Sequence, residues 1–170
     1  MQQKATPAQR GSATHKALEY IPLRDMDENE LETALEALEA GALTAAEREL
    51  VDKKLILSFF ASPLGKRLLK AGRIERELAL SVGVSAREAV GVDSDGEVLV
   101  QGVIDCCFIE DEEWVIIDYK TDRVFNALEA AAEKYAPQVG LYAYALEKLT
   151  DRRVKETYIH FLQAGESVRM

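Results

Sequence analysis

Asp105, Asp118 and Lys120 are the residues of this 170-residue chain whose types and spacing suit them to act together. They lie in two runs rich in β-branched and aromatic residues, Val98 to Ile109 and Trp114 to Tyr119, with an acidic turn between. If that turn is symmetric about Asp111-Glu112, the runs form a hairpin in which Asp105 stands directly opposite Asp118. Side chains alternate faces along a strand, so Lys120 shares a face with Asp118. Directly opposed residues have Cβ atoms roughly 4.5–5.5 Å apart. Two carboxylates and an ammonium group then converge on one side of a sheet. An odd-length turn without a compensating bulge would break this registry.

The neighbours make such an arrangement costly. Val103, Ile104, Phe108, Ile109, Val115, Ile116 and Ile117 leave both faces of the hairpin largely apolar, as in central, covered strands. Facing carboxylates repel there, and burying them unpaired costs more still. A bound cation resolves both problems, and hard oxygen ligands favour magnesium or manganese over zinc. The plain alternative is a structural Asp–Lys ion pair, with Asp105 near solvent at a strand end. Spacing alone leaves both open.

The elements that must hold these residues can be read on either side. Residues 1–10 read as a flexible lead-in. Gly11 to about Tyr20 suits a helix with Ala17, Leu18 and Ile21 on its apolar side. Asn29 to Ala40 is helical, its leucines recurring every three or four residues, and Gly41 ends it. Thr44 and Glu47 form a capping-box pattern for a helix running on to Phe60. Ser62-Pro63 starts a short helix reaching Leu69. After Gly72 the texture changes. Ile74 to Val82 reads as a strand, Ala127 to Leu149 as a long helix that Pro137 kinks or truly starts, and Val154 to Leu162 as a last strand. The expected fold class is α/β (α+β): a mixed central sheet flanked by helices, preceded by a helical N-terminal portion. One domain is expected over residues 11–170, with a helical part over 11–70 and a sheet core over 73–170.

Composition narrows the function classes. No apolar run is long enough to span a membrane, and the polar N-terminus lacks the apolar centre of a secretory signal. Cys106 and Cys107 are adjacent, so they form no disulfide framework and no complete zinc or iron–sulfur site. Buried reduced thiols and a cytoplasmic location are the expectation. A formal net charge of −9 argues against holding nucleic acid over the whole surface. The acidic residues crowd between Asp25 and Asp52. Lys66, Arg67, Lys70, Arg73 and Arg76 make a local basic cluster that either meets a phosphate backbone or is an ordinary solvated face.

The run Gly102-Val103-Ile104-Asp105, followed by Val115-Ile116-Ile117-Asp118-Tyr119-Lys120-Thr121-Asp122, resembles the RecB/AddA branch of the PD-(D/E)xK nucleases. Three further pieces agree. Gly11 and His15 resemble an upstream Gly-x-x-x-His helix, Gln138 and Tyr142 a Gln-x-x-x-Tyr helix after the catalytic strand, and Val154 to Tyr158 the strand beyond it. The resemblance covers about residues 10–163.

It implies a restriction-endonuclease-like fold and metal-assisted phosphodiester hydrolysis with no covalent intermediate. Asp105 and Asp118 would bind Mg²⁺, for which Mn²⁺ could substitute, together with His15 and the backbone carbonyl of Tyr119. Lys120 would position the attacking water and offset phosphate charge. Gln138, Tyr142 and, on a looser pattern, Glu77 would support the site or position DNA. His160, Trp114, Phe108 and the Tyr119 ring read as structural, and Asp122 as part of the turn after the strand. No G-x-x-x-x-G-K-[ST] loop is present, so any ATP-driven motor lies outside this sequence. The resemblance therefore implies the C-terminal nuclease portion of a longer helicase–nuclease that processes double-strand DNA breaks, fed single strands by its motor and working with a second helicase–nuclease subunit. The rival readings are a free-standing nuclease of the same fold and a catalytically silent DNA-binding or assembly module.

Overall fold

Thr6 and Gln9 start the first helix: the threonine hydroxyl accepts from the Gln9 amide, the Gln9 side chain accepts from the Thr6 amide, and Pro7 takes the first turn. The computed structural model describes residues 5–87, 91, 93, 96–124 and 126–170. Helix α1 spans Pro7–Tyr20, so it begins inside the stretch expected to be a lead-in; residues 1–4 of that stretch lie outside the described residues. The capping signal outweighs the polar composition there.

The chain divides into two compact units. The first comprises Met1–Lys70, Tyr119–Phe125 and Phe161–Glu166. Besides α1 it contains α2 (Glu28–Leu38), α3 (Ala45–Leu50), α4 (Lys53–Ala61) and α5 (Pro63–Lys70). Thr44 and Glu47 form the expected capping box, but the helix they open stops at Leu50 instead of running to Phe60. The physical reason lies at Asp52. Its amide donates to the buried hydroxyl of Thr14 at 3.0 Å, so a tertiary bond replaces a helical one. Leu18, Ile21, Leu31, Leu35, Ile56, Phe59 and Leu68 form the interior of this unit. Much of the acidic run is tied down at its surface. Arg48 bridges Glu32, Glu36 and Glu39, and Lys53 shares Glu32 at 2.5 Å.

The second unit comprises Ala71–Asp118, Asn126–His160 and Ser167–Met170. Its five strands are β1 (Ile74–Ser85), β2 (Glu97–Glu110), β3 (Glu113–Lys120), β4 (Val154–Phe161) and β5 (Glu166–Arg169), lying side by side in chain order. The last residues of β3 and β4 belong to the first unit. Strand β2 pairs antiparallel with both β1 and β3. Strand β4 joins β3 in parallel. The Trp114 amide donates to the Arg153 carbonyl where the two strands begin, and the Leu162 amide donates to the Lys120 carbonyl where they end. The sheet is therefore mixed, as expected. Helices α6 (Leu128–Glu133) and α7 (Ala136–Thr150) make the crossover, and Pro137 sits in the first turn of α7. Proline marks a true helix start here.

Helix α7 covers the β1–β2 part of the sheet, burying Tyr142, Ala145 and Leu146 against Leu80, Val100, Ile104, Cys107, Trp114 and Ile116. Trp114 is 1% exposed, its indole N–H donates to Thr150 Oγ1 at 3.0 Å, and the Arg73 guanidinium lies over its ring. Burial also pushes the Cys107 thiol well above its usual range, as a structural cysteine requires. Among the described residues no helix is long and apolar enough to cross a membrane.

Candidate active site

The β2–β3 hairpin has a two-residue turn, Asp111-Glu112, with both residues at positive φ (52° and 65°). That is the type I′ geometry whose twist matches the flanking strands. The register follows from it. Pairs run from Glu110–Glu113 to Cys106–Ile117 without a slip, the symmetric pairing expected from the sequence. The paired residues end at Cys106 and Ile117, one position before Asp105 and Asp118.

Strand β1 brings a second carboxylate beside that of Asp105. Its pairing with β2 runs from Ile74–Phe108 to Arg76–Cys106, then from Leu78–Ile104 to Ser85–Glu97, with no residue gained or lost between. Glu77 and Asp105 occupy the gap, facing each other, with carboxylate oxygens within 4.8 Å. Glu77 has φ +48°, left-handed backbone that non-glycine residues rarely adopt within a strand. A trace of the distortion shows in the core. Strand β2 supplies Val100, Ile104 and Cys107, a step of four and then of three, so strict alternation breaks across Asp105. The irregularity re-aims side chains, as bulges beside active sites do.

Glu77, Asp105 and Asp118 thus stand on three adjacent strands of one unit. Asp118 is 2% exposed, while Glu77 and Asp105 are half-buried. The neighbouring carboxylates of Glu77 and Asp105 form a hard, anionic oxygen donor pair. This chemistry fits a small divalent cation.

Two glycines explain the motif spacings. A Cβ on Gly102 would lie 2.5 Å from Tyr142 Cε1, so only glycine lets that ring rest on β2 three residues before Asp105. Gln138 Nε2 donates to Tyr142 Oη at 2.9 Å, one helical turn away. The Gln–Tyr pair therefore braces the strand that carries Asp105. In the first unit, a Cβ on Gly11 would lie 2.7 Å from Thr121 Oγ1. Glycine brings α1 against the segment that follows Lys120, and His15, one turn later, faces the same side. Gly11, Ser12, His15, Tyr119, Lys120, Thr121 and Asp122 line an open pocket of about 300 Å³. The Tyr119 ring makes edge contacts with His15 and Phe59, at centroid distances of 6.2 and 5.2 Å.

Sequence reasoning did not single out Thr121 or Thr14. Thr121 is the surface that Gly11 is shaped to meet. Thr14 hydrogen-bonds the Arg10 carbonyl and the Asp52 amide, fixing the helix that presents His15. The glycine at position 11 was the available signal for the first; the second had none. His160 is completely buried on β4, with Nδ1 2.8 Å from Ser167 Oγ, and burial lowers its pKa to about 4. Its role is structural.

A model of the PD-(D/E)XK nuclease superfamily matches residues 1–169. The chain belongs to this superfamily. Among curated relatives, an ATP-dependent helicase/nuclease subunit from Alkaliphilus oremlandii is 38% identical over 171 residues, covering 97% of this chain and 14% of that protein. The proteins of the same name from Desulforamulus reducens and Bacillus pumilus are 35% and 33% identical, again over 97% of the chain. The chain spans about 14% of the length of these curated relatives. The Gly102–Asp105 and Asp118–Lys120 segments both lie within the matched residues.

Proposed function

We propose that this chain is the nuclease domain of a helicase–nuclease and hydrolyses DNA phosphodiesters with Mg²⁺, acting on single strands delivered by a motor during processing of double-strand breaks. The carrying observation is the pair of carboxylates on β1 and β2, Glu77 and Asp105, within 4.8 Å of each other, with Asp118 buried on the adjacent strand β3. Like charges so arranged repel, and a divalent cation removes the conflict. The superfamily membership supports hydrolysis. The relatives, each named as one subunit of an ATP-dependent helicase/nuclease, support a longer assembly with a further subunit.

In this reading Asp105 and Asp118 hold the cation, and the family pattern adds His15 and the Tyr119 carbonyl. Glu77, the looser match in the sequence, joins them in this reading, supported by its carboxylate lying beside that of Asp105. When bound, the cation supplies Lewis acidity toward the phosphoryl oxygen and lowers the pKa of the attacking water. The protein's residues do the rest. Lys120 places a fixed positive charge where the phosphate gains negative charge, and holds the nucleophilic water. Gln138 and Tyr142 hold β2 in place behind Asp105, and His15 is set by the close seating of Gly11 on Thr121.

The test is cleavage of single- and double-stranded DNA with Mg²⁺ or Mn²⁺, comparing the wild type with Asp118→Ala and Lys120→Ala. Activity should fall by at least a hundredfold in both variants. Calorimetric titration with Mn²⁺ should show weaker binding to Asp105→Ala, without unfolding. Equal cleavage by wild type and both variants would refute the assignment.

A further inference from the structure

The basic cluster in the sequence is resolved by the structure into two different things. Arg73 is engaged in the second unit, with Nε 3.0 Å from Glu75 and its guanidinium over Trp114. Lys66 and Lys70, in the first unit, belong to a cavity. They lie four residues apart on α5, one helical turn, and so project from one face. Between α5 and the loop after α1 lies a hollow of about 420 Å³, walled by Leu23 and Leu69 and floored by Phe60. Phe60 is 2% exposed, so the floor is fixed core. Arg24 and Asp25 complete the rim, and Arg24 is held by Glu30 at 2.8 Å. Lys66 and Lys70 are exposed and have no ion-pair partner among the described residues. Helix α5 carries no acidic side chain at all.

An apolar hollow rimmed by two such lysines has a definite complement. It suits a ligand with a flat, poorly solvated group beside regularly spaced negative charges. A nucleobase and its flanking phosphates fit that description, whereas a carboxylate-rich peptide would leave the hollow unfilled. We propose that Lys66 and Lys70, with the Leu23–Phe60–Leu69 hollow, form a holding site for single-stranded DNA. The lysines contact successive phosphates, and one base enters the hollow. Asp25, also on the rim, repels phosphates, and the two lysines on one face of α5 hold the strand along that helix. A net-acidic domain thereby grips its substrate at a local cradle. The inference rests on DNA being the substrate, but not on the cleavage chemistry.

The experiment is fluorescence anisotropy of a labelled twenty-nucleotide oligo-dT in EDTA, so that no cleavage intervenes, from about 50 to 200 mM salt. Wild type is compared with Lys66→Gln/Lys70→Gln. Each single-strand phosphate contact contributes about 0.7 to the slope of log K against log salt, so the slope should flatten by about 1.4 in the double variant. An abasic strand of the same length should bind wild type several-fold more weakly than oligo-dT. The thermal midpoint should not move, because both lysines are exposed. Unchanged slope and affinity in the variant overturn the proposal. Equal binding of abasic and dT strands overturns the base-holding hollow. A failed cleavage assay with the slope change intact would refute the nuclease reading and leave this site standing.

Discussion

Replacing Gly102 by alanine should be harmful for one identifiable reason, and that reason can be removed. A Cβ at this position would sit 2.5 Å from Tyr142 Cε1 and 3.0 Å from the phenolic oxygen, roughly 1 Å inside ordinary contact. Tyr142 is only 9% exposed and lies within the α7–sheet core, so the ring has little room to retreat. Overpacking of this kind costs about 1–3 kcal/mol. Against it, alanine in a strand gains about 0.5–1 kcal/mol over glycine in backbone entropy. The net expectation is a loss of up to about 2.5 kcal/mol, or up to about 10 °C in Tm for a chain of this size. In a Tyr142→Leu background the clash is gone, and the same Gly102→Ala change should become neutral or stabilising. The assay is urea unfolding of the four proteins of this cycle, with a coupling energy of about 2 kcal/mol between the two sites. A coupling below about 0.5 kcal/mol, within ordinary additivity, would mean that the glycine is not there for the tyrosine.

Two further outcomes follow from the same structure. Glu77→Gly should stabilise the metal-free protein by about 0.5–1 kcal/mol, because relief of left-handed strain, roughly 1–2 kcal/mol, outweighs the entropy cost of glycine. The same variant should bind Mn²⁺ more weakly in a calorimetric titration, and a destabilised protein with unchanged affinity would contradict both roles. His160 should make the fold sensitive to mild acid. Its pKa is lowered from 6.5 to about 4 by burial, so the unfolded chain takes up a proton that the folded one refuses. Stability is then fully present above about pH 6.5 and falls as the pH drops toward 4, by about 3 kcal/mol in all. Comparing the pH dependence of unfolding in wild type and His160→Gln isolates this contribution; parallel curves would refute it.

Much of the fold was legible in the residues, and the exceptions have physical causes. The hairpin register could be derived because a two-residue acidic turn between apolar runs leaves few ways to pair them. Pro137 and the Thr44–Glu47 box marked helix starts for equally local reasons. The early start of α1 was also written in Thr6, Pro7 and Gln9, but polar composition masked it. The stop at Leu50 was not readable, because it depends on a bond from Asp52 to Thr14, far away in sequence. Short β5 lacked an apolar pattern strong enough to declare itself. Within the candidate site, Asp105, Asp118 and Lys120 stood out by type and spacing. Glu77 was legible only as a looser match, and its left-handed backbone angle had no signal in the sequence. Gly11 and Gly102 were visible as letters, yet their purpose resides in Thr121 and Tyr142, which only the folded chain brings to them.

The left-handed turn of the backbone at Glu77 is accomplished without any insertion, for the ladder resumes at Leu78 in the frame it had at Arg76. A lineage could therefore acquire or discard this acid through one codon, leaving the threading of the sheet untouched. Under the proposed function, losing this acid would change the metal site and leave no scar in the length of the chain.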